Sequence, residues 1–304
     1  MRRRWRLRLA GAVLAGSLTA CGAGPDAGPT PAAPDTAGSA TSPHPPDRPR
    51  PLGGGEDPDG PRTSTLPRRG TEPPSWLGTR ALPLTEDGFG EVLPTPPVLQ
   101  VRRWNTPDAI PALPGRGFQA LVTDPAPGSV IDRSTWRPGC PVAADDLAWL
   151  RLTYWGFDDA RHSGELLVHG SVAGDLVAVF GQLYRARFPI EAMGIARQQD
   201  LDAAPTGDGN TTGSFACRPV RGGTQYSQHA YGLAVDLDPF QNPYVRGDVV
   251  LPELASAYLD RGWRRPGMVT ADGPAVRAFA SIGWGWGGTW SSLKDYQHFS
   301  RDGR

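Results

Sequence analysis

Proline decides where this chain can fold. More than half of its 33 prolines lie between residues 22 and 98, together with 12 glycines and few large apolar side chains. Proline removes a main-chain donor and fixes φ, and so apolar-poor a stretch cannot bury enough surface to offset the ordering of its backbone. Residues 21–98 therefore read as a disordered Pro/Gly-rich tether, partly polyproline in character. The chain's 304 residues have room for one large domain or two small ones, and compact structure is expected as one domain from 99 to 304.

Ahead of the tether the chain has a different grammar. Arg2, Arg3, Arg4, Arg6 and Arg8 form a basic head, Leu9 to Ala20 is a short apolar run, and Leu18-Thr19-Ala20 precedes Cys21. Residues 1–20 thus have the layout of a secretory signal peptide, with an apolar part too short to span a bilayer. A cysteine directly after the small residues resembles a bacterial lipobox, which implies lipidation at Cys21 and anchoring to the outer face of the cell membrane. An ordinary leader with an incidental cysteine is the other reading, and a twin-arginine export signal is left open. Removal of the leader leaves 26 basic against 31 acidic residues. That balance gives no basic surface for nucleic acid.

With Cys21 acylated, Cys140 and Cys217 remain as one pair in an oxidising compartment, where a disulfide is expected. Two unrelated buried thiols are the alternative. The spacing of apolar residues gives a coarse secondary structure. Ala148 to Trp155 alternates as a half-buried strand, and Glu165 to Val168 looks like a second. Ser171 is placed to cap a helix in which Val172, Leu176, Val179, Phe180 and Leu183 share a face, ended by Pro189. Further expectations are a strand over Ile190 to Ala196, a short strand over Leu233 to Leu237, and a late helix holding Val276, Phe279 and Ile282. A Gly/Trp-rich loop, Gly283 to Trp290, follows. Short strands with a few helices and no βαβ alternation favour α+β, with a small antiparallel β-sheet and flanking helices.

Histidine is scarce: His44, His162, His169, His229 and His298. His44 lies in the tether, and His162 and His169 flank an expected strand as surface residues. His229 and Asp236 share one short run, while Asp295 and His298 form a second near the end. Two imidazoles and a carboxylate suit a catalytic zinc, leaving a position for water, and a further carboxylate can take that water's proton. Asp295 and His298 would point to opposite faces of a regular strand, so a bend between them is required. Spacing alone does not establish such a site.

The run Ser227-Gln-His229-Ala-Tyr-Gly232-Leu-Ala-Val-Asp236 fills every fixed position of Ser-x-His-x-x-Gly-x-Ala-x-Asp. It resembles the signature of the D-alanyl-D-alanine carboxypeptidase zinc family, which includes VanY-type carboxypeptidases and L-alanyl-D-glutamate endopeptidases. Asp295-Tyr-Gln-His298 is similar to that family's terminal acid-x-x-His. Supporting likenesses run from about 135 to 301: Gly139-Cys140-Pro141-Val142, Arg187-Phe188-Pro189-Ile190, Ser214 to Arg218, Arg265 to Met268 and the Gly283 to Gly288 stretch. The resemblance implies a hedgehog/DD-peptidase-like fold and one zinc ion held by His229, Asp236 and His298. It also implies Asp295 as general base, with Arg218 near the reacting carbonyl or a peptide carboxylate. A packing role for Arg218 beside the disulfide is equally open, as is a simple turn role for Ser227. Asp238 stands where Asn is more usual, either supporting the ligands or exposed.

The implied activity is hydrolysis of peptidoglycan stem peptides, as a D,D-carboxypeptidase or an L-Ala-D-Glu-type endopeptidase. The competing reading is a non-catalytic, zinc-stabilised cell-wall-binding lipoprotein. Trp284, Trp286 and Trp290 are expected to wall a pocket, and Arg264 and Arg265 to lie on a solvated face. Nothing in the sequence demands more than a monomer.

Overall fold

The computed structural model describes residues 71–220 and 223–304. The leader, Cys21, His44 and most of the expected tether lie outside the described residues. The end of that tether, from 71 to 98, lies against the domain. Gly78 N–H donates to Asp208 Oδ2 at 2.9 Å and Gly90 N–H to Glu253 Oε1 at 3.1 Å. Leu82 and Leu99 are buried beside Trp104, Phe240 and Tyr258. A handful of apolar residues suffices here, because the surface they cover is already built by the later chain.

Two strongly patterned segments found the architecture. β2 (Leu147–Trp155) and β3 (Arg161–His169) form a long antiparallel hairpin, with β1 (Ala120–Thr123) along its outer edge. The inward row Leu150, Leu152 and Tyr154 packs on α2 (Ala173–Arg185), which contributes Leu176, Val179, Phe180 and Leu183. Ser171 does not cap that helix. Its N–H instead donates to His169 Nδ1 at 3.1 Å within a 3-10 turn, Gly170–Val172, that precedes α2. Short helices α1 (Gly128–Ile131), α3 (Gln198–Asp202) and α4 (Pro274–Ala280) surround this core, and α4 lies against α2.

The remaining strands are short. β4 (Ala192–Met193) and β5 (Thr211–Thr212) pair in parallel, so Ile190 to Ala196 yields only two strand residues. β6 (Ala234–Asp236), β11 (His298–Ser300) and β9 (Gly285–Trp286) make one antiparallel sheet; β10 (Lys294–Asp295), β7 (Tyr244–Arg246) and β8 (Val249–Leu251) make another. The fold class is α+β as expected, but with three small antiparallel sheets among the described residues in place of one. Trp284 and Trp286 are core residues rather than pocket walls, stacking around Phe279 and Phe299. Arg265 is likewise buried: its guanidinium donates to the carbonyls of Gln100 and Ala257 and lies over Tyr258, whereas Arg264 is exposed beside Asp272.

Candidate metal centre

Strand register brings the first two groups together. β11 runs antiparallel to β6 with His298 directly opposite Asp236, and opposed residues share a sheet face. His298 Nδ1 stands 3.1 Å from Asp236 Oδ1. His229 arrives on a 3-10 turn, Gln228–Tyr231, which Ser227 caps by accepting the His229 N–H at 3.4 Å. The turn stops at Gly232, where φ is +67°. A Cβ there would meet the His169 main-chain nitrogen at 2.5 Å, so this glycine lets the turn press against β3. His229 Nε2 then lies 3.2 Å from Asp236 Oδ2 and 3.2 Å from His298 Nδ1. One ligand atom from each of the three residues falls within 4.8 Å of the others, so the triad could hold a metal ion.

The outward nitrogens test that fit. His229 Nδ1–H donates to Ser214 O at 2.6 Å, and His298 Nε2–H donates to the Arg304 main-chain oxygen at 3.0 Å. A carbonyl only accepts, so each ring carries a proton on its outer nitrogen, and its inner nitrogen presents a lone pair whenever the ring is neutral. Both inner nitrogens converge on Asp236 and on each other at 3.1–3.2 Å, so a metal ion that displaced a proton from this cluster would meet two imidazole lone pairs and a carboxylate. The donor set, two imidazole nitrogens and a carboxylate, suits zinc. Positive charge is favoured in the same place by the carboxylate itself. Burial works to raise the Asp236 pKa, but His229 and His298 outweigh it and hold the group well below the usual carboxylate range. Burial lowers His298, and its bond to Asp236 reverses that into a net rise.

The disulfide Cys140–Cys217 acts one step behind the cluster. Residues 213–217 are laced between β3 and the His229 turn: Phe215 N–H donates to Leu167 O, and Ala216 N–H to His229 O. Cys217 closes a sequence separation of 77 residues, worth about 4–5 kcal/mol on the chain-entropy account. It thereby fastens the strip whose Ser214 carbonyl sets the His229 ring. A disulfide also fits an oxidising compartment outside the cytoplasm.

Asp295 ends β10, His298 begins β11, and Tyr296-Gln297 carries the chain from one sheet to the other. This is the bend that the sequence spacing requires. Asp295 Oδ1 is buried with no hydrogen-bond partner. Burial, then the Asp236 charge, push the group up to about 7, against the pull of His298, Gln297 and Arg218. A cation in the cluster would draw it down again. A groove of about 1340 Å³ passes the cluster and is lined by Asp295, Arg218, Tyr244 and Trp290 among others. The Trp290 ring lies 5.5 Å from that of His298, so one of the three loop tryptophans does wall the groove.

Residues 221–301 match the family model described as D-alanyl-D-alanine carboxypeptidase. The matched stretch contains His229, Asp236, Asp295 and His298, and it leaves out Arg218 and Cys140. No curated protein and no solved structure matches the chain.

Other expectations fare differently. Asp238 is neither exposed nor beside the ligands. It is fully buried at φ +42°, and its Oδ1 accepts the Glu191 N–H at 3.1 Å. Burial pushes its pKa well up, and its Oδ2 has no hydrogen-bond partner. His162 is not a loose surface residue: its two ring nitrogens are held by Asp108 at 2.7 Å and Asp158 at 3.1 Å. Sequence reasoning missed Ser214, whose contribution is a carbonyl, and Tyr244, which belongs to no motif.

Proposed function

We propose that this protein is a zinc-dependent peptidase that hydrolyses peptidoglycan stem peptides. The observation that carries the reading is the convergence of the two inner imidazole nitrogens on Asp236, with the unpartnered Asp295 oxygen in the same groove. His229, Asp236 and His298 would hold the ion, which when bound polarises a peptide carbonyl and makes water a stronger acid. Asp295 accepts the proton of the attacking water and passes it to the departing amine, a task suited to a carboxylate that a cation in the cluster would keep ionised. Arg218, half-buried on the groove wall, offers its guanidinium to the oxygen that gains charge or to a peptide carboxylate. The likeness of residues 221–301 to the D-alanyl-D-alanine carboxypeptidase family supports the same reading.

The reading extends to location. Acylated Cys21 would anchor the mature chain to the outer face of the cell membrane, and the Pro/Gly-rich tether would let a monomeric domain reach the wall. The deciding experiment is digestion of purified muropeptides with zinc present, followed by mass spectrometry. Loss of a terminal D-Ala marks a D,D-carboxypeptidase, and an internal cut at L-Ala-D-Glu marks an endopeptidase. Intact muropeptides from a zinc-loaded, folded protein would refute the enzyme and leave a wall-binding lipoprotein.

A further inference from the structure

The wall of the groove is a sheet face whose register can be followed outward from Asp295. In the sheet β10-β7-β8, Asp295 lies opposite Tyr244, and Tyr244 lies opposite Leu251. These three therefore stand in one row on one face, each about 5 Å from the next. Arg246 is two residues beyond Tyr244 and so shares that face, about 7 Å further along the strand. All four line the groove, while Val245, Val250 and Lys294, turned by the pleat to the other side, do not. The agreement between register and lining makes this face a platform that begins at Asp295 and ends at a cation.

Arg246 is exposed, and no carboxylate among the described residues pairs with it. The acidic groups elsewhere in the groove are occupied by other donors. Asp200 accepts the Arg197 N–H at 2.8 Å, Glu253 the Gly90 N–H at 3.1 Å, and Asp302 the Gln228 amide at 2.7 Å. A guanidinium at the end of a substrate platform, with its fork open, is suited to a planar carboxylate. Peptide laid along the platform advances about 3.4 Å per residue, and an arginine side chain adds several ångströms of reach.

We propose that Arg246 is a specificity-determining residue, selecting peptides that carry a free carboxylate within about three residues of the cleaved bond. The inference rests on the peptidase reading for the identity of that bond. Its chemical content is narrower: acidic stem peptides are preferred to those whose carboxylates are amidated.

The test uses a stem pentapeptide with free carboxylates, and the same peptide with each carboxylate in turn converted to the primary amide. Both kcat/KM by mass spectrometry and binding by titration calorimetry are measured for the zinc-loaded full domain. The expected result is a roughly three- to tenfold preference for the acid form at one position, the size of a half-exposed charge pair. In Arg246→Gln that ratio falls towards one, Arg246→Lys restores part of it, and Arg246→Glu inverts it. An acid-to-amide ratio in Arg246→Gln equal to that of the wild type, at every position, overturns the proposal. Because the readout is a ratio within one protein, a general loss of folding or activity does not imitate it. Arg246-dependent binding preference without hydrolysis would refute the peptidase reading and leave the acidic subsite standing.

Discussion

Two buried polar clusters in this domain differ in whether their hydrogen-bonding groups are used up. The Arg102–Glu191 pair is almost wholly sequestered, and every oxygen of its carboxylate has a donor. Arg102 reaches Glu191 through Nε at 2.6 Å and Nη2 at 2.5 Å, Asn210 adds an amide at 2.6 Å, and Arg102 Nη1 ends on Asp208 O at 2.7 Å. The His229–Asp236–His298 cluster is less fully covered, with the Asp236 side chain 22% exposed between two buried imidazoles, and the neighbouring Asp295 Oδ1 has no donor. A closed network is complete when folding ends. An open one has polar capacity left for a ligand or a proton, which is why burial alone does not distinguish structural from chemical groups.

Substitutions can break this contrast, and the largest effect is expected at the open cluster. Asp295→Ala should lower kcat/KM by roughly 10²–10⁴-fold in the muropeptide assay while the unfolding midpoint holds or rises, because the orphaned oxygen leaves with the side chain. At the closed cluster the pattern reverses. Glu191→Ala leaves Arg102 buried without its counter-charge and should cost about 3–5 kcal/mol in urea unfolding. If Glu191→Ala removed activity with no loss of stability, the contrast would be wrong. Smaller again is ligand linkage. Zinc at a hundred times its Kd should stabilise the wild type by about 2.7 kcal/mol, and His229→Ala should abolish that gain while Glu191→Ala keeps it.

The smallest effects are pH slopes in metal-free protein. Asp295 is raised in the fold to about 7, so the stability linked to it is full below the unfolded carboxylate pKa and is lost as pH rises through about 7. Thermal melts from pH 4 to pH 8 should show that loss, and Asp295→Asn should flatten it. Asp238 is raised in the same direction, and Asp238→Asn should gain stability at pH 8 and little at pH 4. A pH slope unchanged by both substitutions would remove these two groups as its source.

Long, regular patterns are legible in the amino-acid sequence alone. The alternation of Leu150, Leu152 and Tyr154 and the helical face of Leu176, Val179, Phe180 and Leu183 give β2 and α2, because apolar periodicity is a property of consecutive residues. The Cys140–Cys217 pair and the cluster His229, Asp236 and His298 are legible too, the first from cysteine arithmetic and the second from a motif. Less legible are Trp284, Trp286 and Arg265, whose residue types suit a surface pocket or a solvated face as readily as a core. Their burial depends on packing partners far away in sequence.

By itself, then, the sequence determined the chemistry: which side chains carry imidazole, carboxylate and thiol, and where the chain is too rich in proline to hold a core. Tertiary structure alone decided their disposition. It set His298 opposite Asp236, turned the outer nitrogens of both imidazoles to carbonyls, left Asp295 Oδ1 without a donor, and aligned Tyr244 and Arg246 with it. The physical reason is that these relations arise between distant parts of the chain, and a one-residue slip in register would send the strand-borne Asp236, Tyr244, Arg246, Asp295 and His298 to the opposite face.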